Sequence, residues 1–242
     1  MIEVKYTIAE NAPIASGVYR LILEGDTSAI TAPGQFLDLR LPGFFLRRPI
    51  SICDWDEKCV TLLYKVVGGG TDWLSRRTPG QTLDALSGLG NGFDVAACGE
   101  TTLLAGGGIG AAPLFGLAKH LLAAGKTPVA VLGFNTAEDV FYEKEFKALG
   151  VQTVIATVDG SCGTRGFVTD ALPEQFDTVC ACGPMPMLKA LCARTDKPGQ
   201  ISLEARMGCG FGACMGCTID TVNGPKRVCR EGPVFGREEI KW

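Results

Sequence analysis

Cys209, Cys214, Cys217 and Cys229 constrain this chain more than any other feature. They read Cys-x4-Cys-x2-Cys-x11-Cys, inside Met207-Gly-Cys-Gly-Phe-Gly-Ala-Cys-Met-Gly-Cys. Four thiolates in one short segment can hold a [2Fe–2S] cluster, and the first three spacings are those of plant-type cluster loops. The interleaved glycines permit tight turns and free backbone N–H groups, which stabilise negative charge on sulfur. The alternative is a structural zinc site, which also uses four cysteines but normally as two close pairs. Here only Cys214 and Cys217 form such a pair. A further alternative is disulfides or unrelated thiols. The last gap is short for a plant ferredoxin, so the loop chemistry transfers without implying that fold.

The rest of the composition narrows the class. The chain has 242 residues, 46% of them hydrophobic, enough for one large or two modest cores. With 23 basic and 26 acidic residues, the net charge of −3 gives no electrostatic case for nucleic acid. No apolar run approaches a membrane span, and the opening Met1-Ile-Glu-Val-Lys-Tyr has no export-signal pattern. A cytoplasmic protein is expected. The 11 cysteines then read as thiols in a reducing compartment rather than as a disulfide framework. Those outside the cluster motif, such as Cys53, Cys98 and Cys180, read as small buried hydrophobes.

Three segments are legible. Residues 1–98 alternate in short β-rich runs such as Val18–Leu23, Gln35–Leu41 and Val60–Val67, separated by Pro-Gly turns, which indicates a small antiparallel barrel. Thr71–Arg77 is expected to form a short helix capped by Thr71. From residue 99 to 200 strands and helices alternate: Thr101–Ala105, a helix to Ala124, Pro128–Phe134, a helix over Glu138–Leu149, Val151–Val158, Thr178–Cys182 and a helix over Pro186–Arg194. That order predicts a doubly wound parallel sheet. Residues 201–242 are glycine- and cysteine-rich and too few to fold alone without a metal. The fold class is therefore β plus α/β: a barrel, a nucleotide-type domain and a small metal-bearing domain.

Two motifs carry further chemistry. Gly106-Gly107-Gly108-Ile109-Gly110-Ala111-Ala112-Pro113 lies between strand and helix, where backbone can approach a pyrophosphate and a helix N-terminus favours anions. Gly106, Gly108 and Ala111 keep the spacing of the dinucleotide fingerprint. The alternative is a tight structural turn. Arg47-Arg48-Pro49-Ile50-Ser51-Ile52 offers a planar guanidinium suited to phosphate, a stiffened backbone and a hydroxyl donor; its alternative is an ordinary strand with exposed arginines. His120, the only histidine, lies away from every motif and reads as a packing or surface residue.

Arg48-Pro-Ile-Ser resembles the Arg-x-Tyr-Ser flavin signature of the ferredoxin–NADP reductase family. Pro33-Gly-Gln-Phe, Gly106-Gly-Gly-Ile-Gly and Cys182-Gly-Pro-Met are similar to that family's motifs, in its order. With the cysteine-rich ending, nearly the whole chain resembles the electron-transfer subunits of type B dihydroorotate dehydrogenases. The resemblance implies FAD in the barrel, NAD in the α/β domain and hydride transfer between them. It implies FAD contacts from Arg48 to Ser51, with Arg48 on a phosphate and Ile50 in place of the usual tyrosine. Leu63-Tyr64-Lys65 and Gly70-Thr71 match two further flavin stretches. Cys182, followed by Gly183, Pro184 and Met185, is the counterpart of the cysteine beside the nicotinamide. The absence of Arg or Lys in Gly133–Asp139 favours NAD over NADP, with Arg165 the residue against it. The implied partner is an FMN-containing dihydroorotate dehydrogenase catalytic subunit, in a heterotetramer of two of each, within pyrimidine synthesis. The alternatives are a reductase subunit serving ferredoxin, sulfur or glutamate metabolism, and a zinc-stabilised flavin-binding module without electron output.

Overall fold

The computed structural model describes residues 1–242. Six strands of the first segment close into an antiparallel barrel: β1 (Ile2–Ala15), β2 (Val18–Glu24), β3 (Phe36–Arg40), β4 (Arg48–Trp55), β5 (Cys59–Lys65) and, after helix α1 (Gly69–Ser75), β6 (Thr82–Leu89). Their order round the barrel is β1-β2-β5-β4-β3-β6. Strand β6 shows why it closes: its residues alternate in and out along its length, so one face faces a core of Tyr6, Ile8, Leu21, Leu37, Leu39 and Leu62. Each such leucine contributes about 1.5–3 kcal/mol by burial. Leu74 of α1 joins that core, and Asn11 Nδ2 donates to the Leu74 and Arg77 carbonyls, both at 2.9 Å. The helix end is thereby satisfied by a strand residue.

The expected capping by Thr71 is corrected. The helix begins at Gly69 with Gly68 as its cap, and Thr71 lies inside the first turn. Its hydroxyl accepts from the Val67 and Gly68 amides and donates to the Gly68 carbonyl. The Ser/Thr side chain folds the turn from within.

The second segment comprises β7 (Thr101–Gly107), α2 (Ala111–Ala123), β8 (Thr127–Phe134), α3 (Glu143–Ala148), β9 (Gln152–Thr157), β10 (Thr164–Arg165), β11 (Thr178–Cys182), α4 (Met185–Arg194) and β12 (Gly199–Ser202). Strand β7 is buried almost throughout, as a parallel strand covered on both faces must be. The third segment adds a hairpin, β13 (Thr218–Thr221) with β14 (Gly224–Arg227), and β15 (Val234–Gly236). Strand order in the large sheet is β10-β9-β8-β7-β11-β12-β15. All pairs are parallel except β12 with β15. Strand β12 runs across the 200/201 division expected from sequence, and β15 adds the last segment to the nucleotide-type sheet.

The helix expected over Glu138–Leu149 is shorter. A 3-10 turn at Ala137–Asp139 precedes it, and Tyr142 takes a left-handed φ of 62° just before α3. Packing decides this: Phe141 meets Phe134 at 5.2 Å and Tyr142 meets Phe115 at 5.1 Å, edge-on in both cases. Non-helical backbone there, left-handed at Tyr142, delivers two successive aromatics into one core.

Barrel and sheet are fastened through α2 and β4. Lys119 bonds both oxygens of Asp54 at 2.8 and 2.7 Å, and His120 stacks on Trp55 at 5.0 Å, the packing role expected of it. Asn91, just after β6, accepts from the Val234 amide at 3.0 Å and donates to the Val234 carbonyl at 2.7 Å, tying the third segment to the first. No helix is long and apolar enough to cross a membrane.

Candidate functional site

Two adjoining cavities lie at the carboxyl ends of the parallel strands, where ligands of such sheets belong. The first, about 350 Å³, is walled by the barrel residues Phe36, Arg48, Pro49, Ile50, Ser51, Leu63, Tyr64, Lys65 and Thr71, and from the other side by Ile109, Gly110, Pro113, Cys182 and Ser202. The second, about 640 Å³, is walled by Gly107, Gly108, Ile109, Gly133, Asn135, Phe167, Gly183, Pro184 and Met187. Lys65, Ile109 and Glu204 line both. A larger hollow of about 1160 Å³ along Leu172–Asp177 and Arg194–Lys197 contains none of the motif residues.

Arg48 opens β4 and Arg47 stands just before it, and the two arginines part there. Arg47 pairs with Glu3 at 2.8 Å, outside the cavity. Arg48 Nη1 donates to the Leu46 and Arg47 carbonyls at 2.6 and 3.2 Å, and its guanidinium lies 5.1 Å over Phe44. Its Nε and Nη2 have no partner in the protein and face α1. Gly70 makes that approach possible: a Cβ there would lie 2.5 Å from Arg48 Nε.

The glycine-rich loop divides its labour. Gly107, Gly108 and Ile109 face the larger cavity, while Gly110 and Pro113 face the smaller. Gly106 and Ala111 face neither and pack strand against helix; a Cβ on Gly106 would lie 2.9 Å from Ala111 Cα. Gly110 is pressed so closely on β11 that a Cβ would sit 2.3 Å from the Cys182 carbonyl oxygen.

Cys182 is 2% exposed. Burial, reinforced by the charge of Glu204 and opposed by a hydrogen bond from Ser202, pushes its thiol up to about 12. It is neutral at physiological pH and suited to shaping the cavity wall, not to attack. Tyr64 lines the smaller cavity, but its hydroxyl donates to Asn11 Oδ1 at 2.9 Å and its ring stacks on Tyr19 at 5.6 Å. The hydroxyl is thus taken up inside the barrel. Met185 starts α4, lies exposed and lines neither cavity. Met187, two residues on, takes the wall position. The repeated Met-Pro-Met pattern offered both, and only the start of α4 decides between them.

The cysteine loop follows Met207, which lines the smaller cavity, and its Cys209–Gly210 end lies against the buried carboxyl of Asp38. The Ala213 and Cys214 amides donate to Cys209 Sγ at 3.2 and 3.4 Å. The Gly216 amide donates to Cys214 Sγ and the Cys229 amide to Cys217 Sγ, both at 3.4 Å. Burial raises the Cys209 thiol, but amides from Cys214, Phe211 and Ala213 outweigh it and bring it to about 6. Arg227 braces the loop through the Gly212 carbonyl at 2.6 Å and Glu231. Cys217 and Cys229 are buried, whereas Cys214 is exposed. The sulfurs do not close round one ion position. Four thiols with amides aimed at their sulfurs fit the donor needs of a [2Fe–2S] cluster.

Asp38 was not singled out from sequence. It is 1% exposed, its Oδ1 has no partner, and a Cβ on Gly210, whose φ is +76°, would lie 2.3 Å from its other oxygen. Burial raises its carboxyl to about 7, against the pull of Arg47 and Arg48.

Comparison with known proteins agrees with this layout. The family model for the iron-sulfur cluster binding domain of dihydroorotate dehydrogenase B matches residues 204–241, and that for the oxidoreductase NAD-binding domain matches residues 103–193. The dihydroorotate dehydrogenase B (NAD(+)) electron transfer subunit of Geobacillus sp. (strain WCH70) is 48% identical over 97% of this chain and 96% of its own.

The chain belongs to the dihydroorotate dehydrogenase B electron transfer subunit family.

The Bacillus pumilus (strain SAFR-032) member is 45% identical over the same shares. Among solved structures, one from the NADH-dependent reduced ferredoxin-NADP oxidoreductase has a TM-score of 0.89 and 34% identity, over 98% of this chain and 90% of that one. Amycolatopsis cytochrome P450 reductase GcoB gives a TM-score of 0.71 at 25% identity, over 80% and 65%. As a family member the chain is an oxidoreductase subunit, and neither the zinc-stabilised module nor the other reductase assignments are favoured.

Proposed function

We propose that this chain is the electron-transfer subunit of an NAD-dependent dihydroorotate dehydrogenase, passing electrons from the FMN of a catalytic subunit through [2Fe–2S] and FAD to NAD+. The observation that carries the reading is the adjacency of three sites: a cleft walled by the flavin-type motifs, a nucleotide cavity that shares its wall, and a four-thiol loop that begins two residues after Met207 of the cleft's wall. The cofactors supply the redox chemistry when bound, with flavin converting between two-electron and one-electron steps.

The chain's own residues hold and aim them. Arg48 meets an FAD phosphate with its free Nε and Nη2. Pro49, Ile50, Ser51 and Leu63 form the wall against the flavin, with Ile50 giving an aliphatic face where an aromatic ring is usual. Gly107, Gly108 and Ile109 let the NAD pyrophosphate approach the backbone, and Gly183 and Pro184 close the other side. Neutral Cys182, in the wall of the smaller cavity, would limit how closely a nicotinamide could approach the flavin there. Cys209, Cys214, Cys217 and Cys229 ligate iron. Exposed Cys214 marks the side from which electrons enter from a partner protein. The partner is the catalytic subunit, and the assembly is a heterotetramer of two of each.

The test is reconstitution. The isolated chain should oxidise NADH with artificial acceptors but should not turn over dihydroorotate. NAD-linked dihydroorotate oxidation should appear when the FMN-bearing subunit of the same organism is added. Turnover by this chain alone, or no coupling with that partner, would refute the reading.

A further inference from the structure

Arg227 closes β14 and holds the cysteine loop at one point. Glu231 accepts from its backbone amide at 2.7 Å and from its Nε at 3.0 Å, and the other carboxylate oxygen pairs with Nη2. That fork fixes the plane of the guanidinium. Nη1 then projects to the Gly212 carbonyl and donates to it at 2.6 Å. Gly212 sits at a φ of +93°, and a Cβ there would lie 2.6 Å from Cδ of Arg230, so the turn needs glycine. The other cations of this segment do not bond that peptide. Arg230 only lays its stem over Gly212, and Lys226 is paired with Glu239 at 2.6 Å.

The Gly212 carbonyl and the Ala213 N–H belong to one peptide unit. The chain's one cis peptide is Gly232–Pro233, so the Gly212–Ala213 unit is trans and its two polar ends point opposite ways. Fixing the carbonyl on Arg227 therefore fixes the amide. That amide donates to Cys209 Sγ at 3.2 Å, whereas the other amide–sulfur bonds of the loop are 3.4 Å. A charge-assisted bond at the oxygen also polarises the N–H at the far end. We infer that Arg227 is a positioning residue that raises the reduction potential of the cluster, by holding the Gly212–Ala213 peptide with its amide aimed at the Cys209 sulfur. This rests on the assignment of the four thiols to a [2Fe–2S] cluster. Reduction adds negative charge, and hydrogen bonds to the sulfurs stabilise it. Arg227 is neither a ligand nor the donor to sulfur, so ligand spacing does not reveal it.

The experiment uses the full chain carrying its flavin and cluster, as wild type, Arg227→Met and Arg227→Lys. The cluster is titrated anaerobically against redox mediators and followed by visible absorption and EPR. Arg227→Met keeps the apolar stem and removes the donor. It should shift the reduction equilibrium of the cluster roughly tenfold toward the oxidised form, a midpoint about 59 mV lower, on the scale at which outer-shell partners act on metal sites. The flavin couple should stay within about twofold. Arg227→Lys keeps the charge, but one ammonium cannot grip Glu231 in a fork and reach Gly212 as well, so its midpoint should lie nearer methionine than wild type. A second readout follows the amide itself. Ala213 supplies the one alanine N–H among the amides bonded to cysteine sulfur. In protein labelled with 15N at alanine, the reduced wild-type cluster should show a nitrogen coupling by pulsed EPR that both variants weaken. A lysine variant with the wild-type midpoint, or an unchanged nitrogen coupling, would show that charge alone acts and overturn the inference. If methionine loads no iron, the lysine variant decides by the same two readouts; loss of the cluster in both would leave a structural brace and overturn the tuning role. A wild-type chain that holds no iron would instead overturn the ligand assignment, and the inference with it.

Discussion

Replacing Arg48 with alanine should weaken FAD retention far more than replacing Arg47. The two are neighbours in sequence, yet β4 sends them to different places. One nitrogen of Arg48 is anchored on the Leu46 and Arg47 carbonyls, at 2.6 and 3.2 Å, which fixes the plane of the guanidinium. Its Nε and Nη2 edge remains free for a phosphate. Charge-assisted hydrogen bonds from that edge are worth about 1.5–3 kcal/mol, so the flavin Kd should rise roughly 10- to 150-fold. Arg47 is spent on Glu3 and the Asp38 carbonyl; an exposed pair of that kind is worth at most about 1 kcal/mol, and its loss should change the Kd less than about fivefold. Gly70→Ala is an internal control. Its new methyl would press on Arg48 Nε at 2.5 Å and should give an intermediate loss without removing any charge. Flavin titration of the apoprotein, followed by fluorescence quenching, reads all three. A larger effect at Arg47, or an Arg48→Ala Kd within about threefold of wild type, would refute the assignment of the phosphate contact.

Cys214→Ser should abolish the iron–sulfur absorption while FAD remains bound, because thiol loop and flavin wall are separate segments; unchanged iron content would discredit the ligand set. Gly110→Ala should cost about 1–3 kcal/mol by overpacking, since the methyl would meet the Cys182 carbonyl at 2.3 Å; a Tm equal to wild type would show that the contact is soft. Asp38→Asn tests a buried carboxyl whose folded pKa of about 7 exceeds its ordinary 3.8. Such a group contributes its full stability below the unfolded pKa and loses it as pH rises through the folded one, so the asparagine variant should gain on wild type between about pH 4 and 7 and hold a constant advantage above, up to about 4 kcal/mol. Denaturant melts across that range check it, and parallel pH profiles would contradict it.

The barrel, the parallel sheet and the cysteine loop were legible because each rests on a short-range pattern. Alternation marks β6, unbroken apolar runs mark β7, and thiol spacing marks the cluster segment. What escaped depends on contacts between distant segments. Tyr64 was assigned by its motif, but Asn11, more than fifty residues away, claims its hydroxyl. Met187 rather than Met185 faces the nucleotide cavity because α4 begins one residue earlier than Pro186. The helix near Tyr142 was overextended because aromatic packing there outweighs helix propensity. Glu204 and Asp38 had no local signature: one gains its character from two cavities meeting, the other from a loop laid across it. The linkage of β12 to β15 has no signature either, since β15, Val234–Gly236, pairs with a strand that ends far upstream at Ser202.

That pairing has a consequence for anyone cutting the chain. Strand β15 is the outermost strand of the large sheet, lying over β12 through Gln200, Ile201 and Ser202. Removing residues 203–242 to obtain a cluster-free reductase would leave β12 as a bare border, with Ile201 and its unpaired amides open to a neighbouring molecule. Such borders self-associate. The shortened protein would be prone to aggregate for reasons unrelated to iron, and a single-cysteine replacement is the sounder way to silence the cluster while keeping the sheet closed.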